Sequence, residues 1–178
     1  MSWSLFWICC WCILPNDGRT ERNFEIALDE ISVTNLDPEL MENLEFQLTQ
    51  INNRSYIDAQ MTLKHNLKEW NVRNTLEFWK PNKQKIKVYD VQFEGCSILE
   101  AGTKSRLLKI FAKGIRKHSN LSCPFQADFN YTLNKLFFDE QDFPPFVPIA
   151  PFLCLLEFST KQRLSARLTI HGKTTAKP

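Results

Sequence analysis

The chain has 178 residues, a formal net charge of +2, and compositions of 43% hydrophobic and 24% charged. That length is enough for one domain with a substantial core, and the charge surplus is far too small to point to nucleic acid as a partner. Gly is scarce, Phe is abundant at 14, and no repeat or low-complexity tract occurs.

The chain opens "MSWSLFWICCWCILPNDG". Trp3 to Leu14 is an apolar run too short for a bilayer, which takes ~20 residues. It has the length and place of the apolar region of a secretory signal peptide. The expectation is a leader over 1–18, a domain over 19–172 and a flexible tail over 173–178. Removing the leader takes Cys9, Cys10 and Cys12 with it and leaves Cys96, Cys123 and Cys154. It also takes Asp17, so the balance becomes 22 basic residues to 19 acidic.

Period-two alternation then recurs along the chain. "FEIAL" places Phe24, Ile26 and Leu28 on one face, "NLEFQL" Leu44, Phe46 and Leu48, and "YIDAQMTLKH" Ile57, Ala59, Met61 and Leu63. "NVRNTLEFW" adds a strand. "KIKVYDVQF" changes phase between Val88 and Tyr89, which predicts a bulge. "ADFNYTL" sets Phe129, Tyr131 and Leu133 inward, with Asn130 and Thr132 facing solvent. "FLCLLEF" and "RLSARLTIHG" give Phe152, Cys154, Leu156 and Phe158, then Leu164, Ala166, Leu168 and Ile170. Turn signals separate the runs, as in "NLDPE", "INNRS" and "KPNKQ". The expectation is a mainly β fold, an antiparallel two-sheet sandwich of about eight strands. The last residues, "GKTTAKP", read as disordered.

One segment has helical spacing. Leu107, Leu108, Phe111 and Ile115 share a face over 103–117, with Thr103 or Ser105 as N-cap. The other face carries Lys104, Arg106, Lys109, Lys113, Arg116 and Lys117 with no acidic residue. Its plain reading is the solvated face of a helix packed over a sheet; the sharper one is a basic lid that meets anionic head groups or an acidic partner. Gly114 weakens this helix.

Three Asn-X-Ser/Thr triplets begin at Asn53, Asn120 and Asn130, in a turn, a loop and the solvent phase of a strand, where a glycan is tolerated. Cys123 precedes Pro124 and is thereby held extended. Its natural partner is Cys96, at the end of the "VYDVQFEGC" strand, and the bridge would close a loop containing the basic helix. Cys154 is left as a buried free thiol or an intermolecular bridge, since apolar neighbours raise a thiol pKa and make it inert. No enzyme is expected: His65, His118 and His171 stand far apart with no metal-ligand spacing, no nucleophile-elbow, zinc-helix or phosphate-loop motif occurs, and no cofactor is implied.

The strand "YDVQFEGCSIL", the helix "LLKIFAKGI", the run "SNLSCPF" and the approach "FPPFVPIAPF" resemble, in that order, a large insect family of small secreted proteins that includes the CheA and CheB chemosensory proteins. That family is similar to the ganglioside-activator branch of the ML lipid-recognition superfamily. The resemblance covers most of 24–172 and is densest over Asp90–Phe125. It implies a secreted β-sandwich or cup whose sheets splay around a hydrophobic ligand, with a chemosensory role in some members. This chain lacks the extra cysteine pair many relatives carry in the first strands, and has Phe152-Leu153-Cys154 where relatives often have Gly-x-Tyr.

An apolar ligand needs an apolar pocket with few orienting polar groups. Trp70, Phe78, Phe137, Phe143, Phe146 and Phe152 are candidates to line it, with the mouth expected at the proline-rich loop from Asp142 to Phe152. The partner would be a lipid or hydrophobic small molecule. The alternative is an extracellular modulator of a membrane receptor or channel with no transported ligand. A cavity on the order of several hundred Å³ favours the first, and a filled interior with a coherent basic face favours the second. The leader reading predicts that the product exported from cells begins near Arg19; N-terminal sequencing that finds Trp3 in extracellular material removes it.

Overall fold

A computed structural model describes residues 22–100, 105–161 and 163–177. The expected leader and Thr103 lie outside these residues. Eight strands form: β1 (Phe24–Thr34), β2 (Met41–Ile51), β3 (Arg54–Leu63), β4 (Asn71–Trp79), β5 (Lys85–Glu94), β6 (Tyr131–Leu136), β7 (Pro151–Thr160) and β8 (Arg163–Ala176). Among the described residues two helices, α1 (Gly95–Glu100) and α2 (Arg106–His118), lie between β5 and β6, and a 3-10 turn spans Glu140–Asp142. All strand pairing is antiparallel, in a five-stranded sheet ordered β1-β8-β7-β4-β5 and a three-stranded sheet ordered β2-β3-β6. The expected two-sheet sandwich of eight strands is what forms.

The alternation explains the layers. Phe24, Ile26 and Leu28 of β1, Phe152 of β7, and Leu168 and Ile170 of β8 are buried in one cluster with Ile57 and Leu136 of the facing sheet. The turn between β2 and β3 is two residues long, Asn52 and Asn53, both at positive φ (49° and 61°). Asparagine tolerates the left-handed region such hairpins require. The phase change in β5 is a bulge: Leu76 pairs with Tyr89 but Glu77 pairs with Lys87, so Val88 is the extra residue.

Helix α1 was not expected. Its start is held by Glu94, whose carboxylate accepts from the amides of Cys96 (3.0 Å) and Ser97 (2.6 Å) and from the Ser97 hydroxyl (2.7 Å). An anionic cap on exposed helix-end amides is favourable. Ser105 caps α2, its side chain accepting from the Leu108 amide. Ile98 of α1 and Leu108 and Ala112 of α2 pack with Val91 and Phe93 of β5. The helices therefore finish the layer that the three-stranded sheet leaves short. Gly114 has a reason here: a Cβ on it would lie 2.9 Å from Leu136 Cδ1, so the lost helix propensity is exchanged for close contact with β6.

Two expectations fail. Residues 173–176 are not a flexible tail. They continue β8, pairing with β1 from Phe24↔Ala176 to Ala27↔Lys173, and Thr174 is buried. Inward-pointing Gly172 and Thr174 carry no apolar signal, so the alternation looked finished at Ile170. Phe129 does not point inward either. It is 43% exposed, because β6 begins only at Tyr131.

Cys96 and Cys123 form a disulfide, with a sequence separation of 27. The bridge ties α1 to the loop after α2. Replacing both cysteines with serine is expected to lower stability by about 3–4 kcal/mol through the freed loop entropy of the unfolded chain. Urea denaturation of the double variant checks this, and an unchanged midpoint contradicts it.

Candidate functional site

An apolar cavity sits at one end of the sandwich, lined by both sheets. It measures about 130 Å³ and is partly open to solvent. One wall is the inner face of the three-stranded sheet: Met41, Leu44 and Phe46 of β2, Ala59, Met61 and Leu63 of β3, and Tyr131 and Leu133 of β6. Phe158 at the end of β7, with Leu67, Trp70, Leu121 and Phe125 from loops, closes the other side. The few polar groups present are Gln60, Thr132, Ser159, Thr160 and Ser165.

Its aromatic wall is fixed by packing. Trp70 stacks on Phe158 at 5.6 Å between centroids and meets Phe125 edge-on at 5.5 Å. Phe125 in turn meets Tyr131 at 5.0 Å, and the Tyr131 hydroxyl accepts from the Gln126 amide at 2.7 Å. Such ring pairs are directional. Gly95 makes room for the indole, since a Cβ there would fall 2.2 Å from Trp70 Cε2. The loop carrying Phe125 is anchored to the loop before Trp70 by paired bonds between Leu67 and Phe125 (2.8 and 2.9 Å). The Cys96–Cys123 bridge ends two residues from Phe125, so the disulfide also braces this wall.

Of the six residues expected to line a pocket, only Trp70 lines this one. Phe78 and Phe152 fill the central core, 5.7 Å apart. Phe143 packs against that same core. Phe137 lies apart, beneath Arg54 and edge-on to Tyr56 and His118. Phe146 is 81% exposed. The proline-rich loop is not the mouth of this cavity. It enters β7 at Pro151, whereas the cavity meets β7 at Phe158–Thr160. At ~3.3 Å per residue these ends are more than 20 Å apart. Inward-phase residues of β2 and β3 supply the lining instead. The available signal was a small residue, Ala59, in a phase otherwise filled by Ile57, Met61 and Leu63.

Asn53 and Asn130 are exposed, in the β2–β3 turn and just before β6. Asn120 is also exposed, but its side chain is engaged: Oδ1 accepts from the Thr132 amide (2.7 Å) and Nδ2 donates to the Asn130 carbonyl (3.1 Å). Thr132, expected to face solvent, is half-buried and touches the cavity.

Residues 72–154 match the model of a family described as a protein of unknown function (DUF1091). No curated protein matches the chain. Among solved structures, the chain is similar to chicken MD-1 complexed with lipid IVa, with 16% identity over 86% of this chain and 91% of that one and a TM-score of 0.43. It is also similar to a Niemann-Pick type C2 protein from Japanese carpenter ant, at 14% identity over 85% and 92% of the two chains, with a TM-score of 0.31.

A separate polar cluster is enclosed within the sandwich. The Cys154 thiol donates to Asn74 Oδ1 at 3.4 Å, and both residues are buried. Burial pushes the thiol pKa up to about 12. Burial, aided by Cys154, also raises the Tyr89 phenol, against a smaller opposing pull from Asn74. A neutral, enclosed thiol is neither a nucleophile nor a free partner for another chain. The folded state keeps this proton at pH values where an unfolded thiol, near 9.0, releases it. The resulting stabilisation is complete below pH 9 and is lost as pH climbs toward 12. Native protein at pH 8 is accordingly expected to leave Cys154 unlabelled by a thiol reagent, with full labelling after unfolding in urea. Rapid labelling of the native protein contradicts this burial.

Proposed function

We propose that the chain is a secreted binding protein for an apolar ligand, a lipid chain or a hydrophobic small molecule of the kind used in chemical sensing. The observation that carries the reading is the cavity between Met61, Trp70, Phe125 and Phe158, whose lining is almost wholly apolar. An apolar guest that covers this lining takes apolar surface out of water, which contributes ~25 cal/mol per Å². The cavity's size is close to the ~150 Å³ at which a dry apolar cavity accepts one benzene-sized guest. It therefore suits a ring or the end of a short alkyl chain, and a whole lipid would have to emerge through the open side. The apolar leader segment, the triplets at Asn53 and Asn130 and the disulfide support an extracellular setting.

A second reading, a modulator that touches a membrane receptor or channel directly, is favoured by the cavity's modest size together with the basic face of α2. Lys109, Lys113, Arg116 and Lys117 are all exposed there, and among the described residues only Lys113 of these four has a salt bridge, to Asp142 at 3.0 Å.

Titration with a fluorescent alkyl-chain probe separates the two. Burying roughly 300 Å² of apolar surface at ~25 cal/mol per Å² gives at best micromolar affinity. Ala59→Leu, which fills the cavity from β3, should weaken probe binding at least tenfold, with a stability cost of no more than about 1–3 kcal/mol. Phe146→Asp, at the opposite end, should leave binding unchanged. Absence of probe binding to the unmutated protein overturns the ligand reading and leaves the modulator reading.

A further inference from the structure

The end of the sandwich opposite the cavity carries side chains the ligand reading does not use. Phe146 is 81% exposed and Ile149 55%, in the loop ahead of β7. Soluble domains seldom leave a large aromatic this bare, and the surroundings show that it is not simply loose. Phe143, Val147 and Ala150 of the same loop pack into the core. The Thr174 hydroxyl accepts from the Ala150 amide (3.0 Å) and donates to the Pro148 carbonyl, while the Thr174 amide donates to the Ala150 carbonyl (3.1 Å). With Pro144, Pro145, Pro148 and Pro151 restricting the backbone, Phe146 is presented on a pinned loop.

The β4–β5 turn stands beside this loop. Trp79, Lys80, Pro81 and Lys83 form a groove with Ile149, Ala150 and Pro151. From Lys80 to Lys87 the chain reads KPNKQKIK, four lysines and no acid. Lys85 pairs with Glu77 (3.5 Å) and Lys87 with Asp90 (3.0 Å), whereas Lys80 and Lys83 have no salt bridge among the described residues. The turn is ordered by bonds from the Lys80 amide to Gln84 and from the Lys83 amide to Lys80, both 2.9 Å. Ile86, next in the hairpin, is 39% exposed.

We propose that this tip is a docking surface for an anionic lipid bilayer. Phe146 and Ile149 would enter the boundary between head groups and acyl chains, Trp79 would lie at the interface, and Lys80 and Lys83 would meet the phosphates and carboxylates. Aromatic and aliphatic tips ringed by lysine match the layered polarity of a membrane surface. Among the described side chains of α2 the basic face has no exposed apolar companion, since Leu108 and Ala112 are buried and Phe111 is half-buried. A second copy of this chain is a poor occupant, because it would bring one lysine cluster against another.

The test is co-sedimentation of the full chain with phosphatidylcholine vesicles, with and without phosphatidylserine. Binding should require phosphatidylserine and should fall roughly tenfold or more in Lys80→Glu/Lys83→Glu, since each lysine near an anionic surface strengthens attachment several-fold. Phe146→Ser/Ile149→Ser should weaken it comparably, while Lys109→Glu/Arg116→Glu should leave it nearly unchanged. Hydrogen exchange of the unmutated protein should show protection over 80–87 and 143–150 when anionic vesicles are added, which keeps the test valid if a variant misfolds. The proposal is overturned by failure to bind any vesicle, by binding that depends on α2 and not the tip, or by protection elsewhere. In the first case a protein receptor becomes the occupant to seek.

Discussion

The structure depends on a mismatch in width. A five-stranded sheet faces one of only three strands, and apolar side chains on the wider sheet cannot be left in water at ~25 cal/mol per Å². β5, at the edge of the wider sheet, is the strand left over. The chain covers it with α1 and α2 immediately after it, so Val91 and Phe93 meet Ile98, Leu108 and Ala112 instead of another strand. Much else follows from this arrangement. Gly114 has to be small for α2 to abut Leu136, Glu94 has to cap α1 at the edge, and Cys96–Cys123 holds the helical half-layer to the loop leading into β6.

The cavity is the residue of the same mismatch at one end. Trp70 fills part of the space between Phe158 of β7 and the loop bearing Phe125, and the cavity lies beside it. The aromatic contacts of Phe158, Trp70 and Phe125 form a rigid wall facing a softer one of Met41, Leu44 and Met61. Methionine and leucine can change rotamer at little cost, so this wall can adapt to a guest in a way the stacked rings cannot.

Most of the fold was legible in the sequence because half-buried strands advertise themselves in a period of two. Strands β1, β2, β3, β7 and most of β8 carry the alternation expected of them, and the phase slip at Val88 marked its bulge. The pairing of Cys96 with Cys123 was legible from strand position. What escaped were features set by shape and not by residue type. Phe78, Phe152 and Trp70 are all large aromatics, yet two complete the central core and one borders a cavity, a difference made by which residues face each of them across the sandwich. The proline-rich loop was correctly read as irregular, but which of its phenylalanines faces out depends on Thr174, a residue in a stretch that looked disordered. Helix α1 was too short to show a period.

One pairing has a mechanical consequence. Phe24 lies opposite Ala176, and the Lys177 amide donates to the Asn23 carbonyl, so both ends of the domain emerge side by side from one antiparallel pair. A force applied between those ends acts along the inter-strand hydrogen bonds, which in antiparallel sheets run perpendicular to the strands. It loads the rungs one after another, like the teeth of a zip, and never all at once as in shear. β1 should then peel from β8 progressively at low tension, starting at Phe24, well before load reaches β7, β4 or the disulfide-braced end. A domain built this way resists heat through its core but yields readily to a pull on its two ends.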